Sequence, residues 1–240
     1  DDVVAIGRNA GGSVTTGSNS VFIGSGAGSN WNNSSGVTTA GHTIIIGSSA
    51  GSGPMTGQKN VIMGSSAGYD LTSGHSNLML GYRAASNMTT GQAVTAIGYD
   101  ALKLQIGVDG EVGNVAVGAL AGDAVITGIK NVLVGTGAGG ATEDVDNTVI
   151  IGYGAGAGVM VADADGTVAI GYTAGAALTT GMGNTIIGYQ AGDALTDTSG
   201  VTLLGYNVGT AINNANAHGT TAIGFRAGEA ITSGEKNVAI

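Results

Sequence analysis

Five carboxylates stand close enough in the chain to suggest joint chemistry: Glu143, Asp144 and Asp146, then Asp163 and Asp165. Ca²⁺ takes roughly six to eight oxygen ligands and accepts them from adjacent turns. Asp144, Asp146, Asp163 and Asp165 are therefore the metal candidates. Their spacing departs from that of calcium-binding β-roll turns, and solvated loops are the favoured alternative. A pair drawn from the same set could act as acid and base on a glycosidic bond, but no cleft-forming element flanks it. "GSGAG" at 24–28 imitates a dinucleotide fingerprint. That fingerprint works by presenting a helix N-terminus to the phosphates, and no helix can follow here. His42, His75 and His218 lie far apart, without metal spacing or a partnered nucleophile. No catalytic residue is assigned, and no cofactor is expected.

The stretch "SNWNNSSGVTTAG", residues 29–41, is the best candidate for recognition. It carries the single Trp among Asn and Ser, a mix suited to stacking on sugar faces and to adaptable hydrogen bonding. Trp31, Asn32 and Asn33 are the candidate ligand-binding residues, with a cell-surface glycan as the candidate partner. The alternative is that Trp31 folds back over a neighbouring turn. Asn32, Asn33 and Asn87 also begin N-x-Ser/Thr acceptor sequences.

The elements that must position these residues follow from composition. The chain has 240 residues, with 47 Gly, one Pro, no Cys and 10% charged residues. Each interior Gly costs a helix about 1 kcal/mol relative to Ala, so long helices are excluded. A mean hydropathy of +0.28 is far from that of disordered chains. Without Cys there is no disulfide framework or thiolate chemistry. No apolar run approaches the roughly 20 residues that span a bilayer, and no secretory leader pattern is present, so no membrane insertion is expected. The net charge of −9 repels phosphate backbones, so nucleic acid is not an expected partner.

One Gly recurs after a short apolar run at Gly7, Gly24, Gly47, Gly64, Gly81, Gly98, Gly118, Gly135, Gly152, Gly171, Gly188, Gly205 and Gly224. Eight of the 12 intervals are 17 residues and the others are 19, 19, 20 and 23. A unit this short cannot bury its own apolar face and must stack on its neighbours. The expected fold is an all-β parallel β-solenoid of about 13 coils, one repeat region over 1–240. The triplets before each Gly, such as Val168-Ala169-Ile170, read as strands. "LTTG"-type segments such as 178–181 read as a second strand per coil. An aromatic follows the Gly in seven copies, and three positions after the Gly stands Ala or, once, Val208. The aromatics are expected to form a ladder and the Ala column a narrow interior one. Extra residues should bulge from one corner, because a ladder interrupted elsewhere loses register. Starting at "DDVVAIG" and stopping at "NVAI", the sequence reads as a section of a longer array.

The middle residue of each triplet is never polar. If first and third residues face inward, strand alternation turns the middle one outward, and a continuous apolar stripe results. Phe22, Ile45, Ile62, Met79, Leu133, Ile150, Ile186 and Leu203 are on this reading the interface between copies.

The pattern in Asn184-Thr185-Ile186-Ile187-Gly188-Tyr189-Gln190-Ala191-Gly192 resembles repeats of bacteriophage tail fibres, and is similar to the "AIG" repeats in the heads of trimeric autotransporter adhesins. The resemblance covers essentially the whole chain. It implies a homotrimer of left-handed β-rolls packed about a common axis, located extracellularly, on a virion or a cell surface. The implied work is attachment to a host or surface as a structural, non-enzymatic shaft or head. A self-assembling extracellular filament is the alternative, and a polysaccharide depolymerase the more distant one.

Overall fold

The structure is a computed structural model and describes residues 2–14, 19–31, 41–108, 110–213 and 215–240. It contains two compact units, Asp1–Ala119 and Leu120–Ile240. Both are parallel β-solenoids built from the same turn of about 17 residues, about 13 turns in all. Two single-turn 3-10 segments, Ala162–Ala164 and Ala215–Ala217, are the helical elements among the described residues.

In the first unit β1 (Val3–Ile6), β2 (Ser20–Ile23), β3 (Ile44–Ile46), β4 (Val61–Met63), β5 (Leu78–Leu80), β6 (Thr95–Ile97) and β7 (Val115–Val117) pair in chain order. In the second, β8 (Val132–Val134), β9 (Val149–Ile151), β10 (Val168–Ile170), β11 (Thr185–Ile187), β12 (Thr202–Leu204), β13 (Thr221–Ile223) and β14 (Val238–Ala239) do the same. Each triplet faces its equivalent in the next turn without a shift, for example Val168↔Thr185, Ala169↔Ile186 and Ile170↔Ile187.

The aligned glycines make this register possible. All 13 have φ between 127° and 147°, a region L side chains avoid. A Cβ on Gly24 would stand 2.6 Å from the Gly47 carbonyl oxygen, and one on Gly135 2.5 Å from that of Gly152. The turns are thus in backbone-to-backbone contact at this corner, with no room for a side chain.

Among the described residues each turn contributes one strand, and one isolated bridge, Gln92 with Glu111, lies outside the strands. The "LTTG" segments are not strands; they are held turn to turn by single bonds such as Thr72 N–H to Thr89 O (2.8 Å), to which the Thr72 hydroxyl adds a second at 2.9 Å. The same hydroxyl bond recurs from Thr89 to Ile106 and from Thr179 to Thr196.

The strand parity is the reverse of the sequence expectation. Phe22, Ile45, Ile62, Met79, Leu133, Ile150, Ile186 and Leu203 are completely buried inside their own turns; they are core, not an interface between copies. The residue two before each of them explains why. That column carries Ser20, Thr43, Asn60, Asn77, Asn131, Thr148, Asn184 and Val201, all buried. Asn77 donates from Nδ2 to Gly91 O (2.9 Å), and its Oδ1 accepts the Val94 N–H (2.9 Å). Asn184 donates to Gly181 O and Thr198 O and accepts from Val201 N–H. These amides satisfy corner groups of their own and the next turn, so they point inward. Alternation then carries the middle apolar residue inward with them.

A second apolar column, with Trp31, Leu71, Met88, Val125, Leu178, Leu195 and Ile212, packs against the first across the turn. The Ala column, including Ala50, Ala67, Ala138 and Ala191, is fully buried between them. Three long turns place their described additional residues at one corner, between the second apolar column and the next inward polar residue: Gln105 to Asn114, Met160 to Thr167 and Ile212 to Thr220. Both 3-10 segments lie there.

Candidate interaction surface

With the middle residue inside, the first and third residues of each triplet face outward. The third position is aliphatic in every copy: Ile6, Ile23, Ile46, Met63, Leu80, Ile97 and Val117 in the first unit, Val134, Ile151, Ile170, Ile187, Leu204 and Ile223 in the second. All are only half-buried or exposed, as are the Val, Ile, Leu and Thr of the first position. The apolar stripe expected from the sequence therefore exists, on different residues. Covering the free half of one such side chain is worth roughly 1 kcal/mol.

Aromatic side chains form exposed ladders just past the glycine corner. In the second unit Tyr153, Tyr172, Tyr189, Tyr206 and Phe225 stack in sequence, with centroid steps of 5.5, 5.1, 5.0 and 5.4 Å. In the first, Tyr82 and Tyr99 stack at 5.6 Å. Arg83 lies against that pair, its guanidinium carbon 4.8 Å from the Tyr82 centroid and 5.9 Å from that of Tyr99. It grips Asp100 with two bonds of 2.8 and 2.5 Å. That hydrogen bonding, more than the opposing desolvation, holds the guanidinium above its ordinary pKa.

Trp31 is not an exposed recognition residue. It occupies the second apolar column, 1% exposed, in edge contact with Phe22 at 5.4 Å. Its Nε1–H has no hydrogen-bond partner among the described residues. Asn32 and Asn33 lie outside the described residues. Asn87 is half-buried, and its Oδ1 accepts from the Ser86 hydroxyl.

The candidate metal ligands serve the backbone instead. Asp146 Oδ1 accepts the Ile129 N–H (2.8 Å), Asp165 Oδ1 the Asp146 N–H (2.8 Å) and Asp144 Oδ1 the Ala162 N–H (3.0 Å). Asp163 sits exposed on the first 3-10 segment. Among the described residues no three acidic or His side chains gather as a cation would require. The carboxylates cap N–H groups at a corner where the backbone cannot pair regularly. The histidines stay apart: His42 approaches Asn19, His75 approaches Ser76, and His218 Nδ1 accepts the Ser199 N–H at 2.8 Å. A shallow polar depression of about 260 Å³ lies among Thr56, Gln58, Lys59, Ser73 and His75. No helix among the described residues is long and apolar enough to cross a membrane.

The outward columns were missed in the sequence because the triplets are apolar throughout. One signal was present: Thr replaces the aliphatic residue at the first position, as in Thr95, Thr185, Thr202 and Thr221, and never at the middle one. Comparison of the chain with protein-family models, with curated proteins and with solved structures gives no match.

Proposed function

We propose that the chain is a structural and adhesive segment of an extracellular fibre, assembled from copies of itself through the outward aliphatic columns. The carrying observation is the unbroken third-position column of half-exposed Ile, Leu, Val and Met in both units. Such a face on a soluble protein marks an interface. Its period selects the partner: residues repeat at the parallel-strand spacing of about 4.8 Å, and only a surface with the same rung spacing interdigitates with it over many turns. A second copy has that spacing by construction.

The resemblance to phage tail-fibre and autotransporter-head repeats makes this assembly a homotrimer of left-handed rolls. It makes the work attachment to a host or surface, non-enzymatically, from a virion or cell exterior, with a surface glycan as ligand. Light scattering on the purified chain tests the assembly: three times 23.1 kDa is expected. Ile187→Glu, on the outward column, should yield folded monomers, whereas Ile186→Glu, on the inward one, should unfold the chain. A folded monomeric wild type overturns the proposal, and open-ended polymers favour the filament.

A further inference from the structure

We infer that the depression among Thr56, Gln58, Lys59, Ser73 and His75 is a binding site for an acidic sugar, one residue of a carboxylated or sulfated polysaccharide. It rests on the surface-glycan reading above, to which it gives a place and a ligand class, and not on self-association.

The depression has a cause in the chain. In the turn that begins at Gly47, the second apolar column is filled by Met55, one position later than by Leu71 or Met88 in the two turns that follow. Pro54 takes the earlier position and stands exposed. Four residues, 56 to 59, therefore join Met55 to the inward Asn60, where five join Leu71 to Asn77. The shorter corner leaves room beside its longer neighbour, about 260 Å³, roughly the space of nine waters and on the scale of one sugar ring. Its floor is backbone, because a Cβ on Gly57 would collide with the Gly74 carbonyl oxygen.

The lining sets the chemistry. Thr56, Gln58, Ser73 and His75 bring hydroxyl, amide and imidazole groups, Lys59 brings an ammonium, and no carboxylate is among them. The Thr56 hydroxyl makes only a long bond, to Thr72 O at 3.5 Å. His75 Nδ1 meets the Ser76 hydroxyl at 3.4 Å, which leaves Nε2 for a ligand. The Ser73 hydroxyl and the Lys59 ammonium have no partner among the described residues. A hydroxyl-rich ligand matches this mixture of donors and acceptors, and the ammonium selects one that carries negative charge.

The surrounding charge agrees, although the chain as a whole is acidic. Residues 3–99 hold Arg8, Lys59 and Arg83 against Asp70, a net of +2, while the remainder holds four Lys and Arg against 15 Asp and Glu, a net of −11. Charges farther off than about 8 Å are largely screened at physiological salt, so the local balance decides. Asp70 neither lines the depression nor pairs with Lys59. Two other lysines show the contrast. Lys130 and Lys236 hold the same position, 12 residues after their corner glycines, but each has a carboxylate alongside: Asp146, which caps the N–H of the adjacent Ile129, and Glu235.

Titration calorimetry on the full chain is the test, with trigalacturonic acid, a sulfated heparin disaccharide, neutral maltotriose, inorganic phosphate and a Glu-rich peptide as probes. Saturable binding of an acidic sugar is expected, with maltotriose, phosphate and peptide each at least about tenfold weaker; which acidic sugar binds tells carboxylate from sulfate. Lys59→Asn keeps the left-handed backbone that Asn19 and Asn147 adopt at this position. It should weaken acidic-sugar binding about tenfold, and Ser73→Ala about threefold, whereas Lys130→Asn should stay within about twofold. Circular dichroism confirms that each variant is folded, and light scattering reads assembly separately. Absence of binding, equal binding by folded Lys59→Asn, or phosphate or peptide bound as tightly as the acidic sugars overturns the inference. A glycan array separates it from the broader reading: sugars retained by Lys59→Asn at another site sink this inference alone, and an empty array sinks both.

Discussion

The same core column is broken by a polar residue in each unit, with different outcomes. In the first unit Gln105 replaces the usual Leu or Met, fully buried, and its Oε1 accepts a 2.6 Å bond from Asn114. In the second unit Thr142 takes that place, also fully buried, and its hydroxyl has no partner among the described residues. The solenoid tolerates a polar side chain indoors because the inward Asn column is within reach of the apolar one. Gln105 has the reach and an Asn to meet, whereas Thr142 is shorter and the inward residue that follows it is Thr148, whose hydroxyl donates to Asn131 Oδ1. The same contrast runs through the units as wholes. The first keeps large aromatics inside, Phe22 on Trp31, with a two-ring stack outside; the second has its five rings outside.

The largest effect that would break this comparison is in the first unit's interior. Trp31→Ala should cost about 3–5 kcal/mol in denaturant melts, well above Val125→Ala in the same column of the second unit; equal costs would show that the aromatic interior is not special. Next, Gln105→Leu should destabilise by about 1–3 kcal/mol, since the Asn114 amide loses that acceptor. Thr142→Val should have the opposite sign and raise stability by about 1 kcal/mol, because it removes an orphaned hydroxyl at nearly constant volume. Matching signs in thermal melts would dissolve the distinction. On the outside, Tyr189→Ser breaks two stacks and should cost about 1–2 kcal/mol.

The smallest effect is electrostatic. Burial raises the Asp193 carboxyl above its ordinary 3.8, against the pull of N–H groups at Asp193 and Ala194. The folded chain thus holds this proton more tightly than the unfolded one. Stability from this group is present below pH 3.8 and is lost as pH rises through the elevated value. Asp193→Asn should therefore stabilise the fold at pH 7 by no more than about 0.5 kcal/mol, read as a slightly higher melting temperature, and leave it unchanged at low pH.

The turn was legible because its causes are local. Glycine at every corner and alanine three residues on can be counted without knowing the fold, and both columns do what their residue types require. The orientation of the triplets is harder to read, because Ile186 and Ile187 are equally apolar and the one cue is the Thr that recurs at the first position, as in Thr185, and never at the middle one. The decision belongs to Asn184, whose value inside depends on carbonyls at Gly181 and Thr198 that only the stacked structure brings within reach. Trp31 was misplaced for a related reason. It stands seven residues after Gly24, as Leu71 does after Gly64 and Leu178 after Gly171. Its setting among Asn and Ser suggested a loop, while its register assigns it to the core. For the acidic residues the sequence offers metal ligands or, in preference, solvated loops, and not their backbone-capping role, because backbone N–H groups awaiting an acceptor leave no trace in a sequence.

Among the described residues the long turns lengthen at a single corner, whereas at the stacked glycine corners, such as Gly64, Gly135 and Gly188, a methyl group would meet the next turn's backbone. Growth in this architecture is therefore directional. Sequence can be added along one edge of each unit while the pitch of the stack is conserved, which makes that edge the natural place to graft a foreign peptide and have it displayed at chosen intervals.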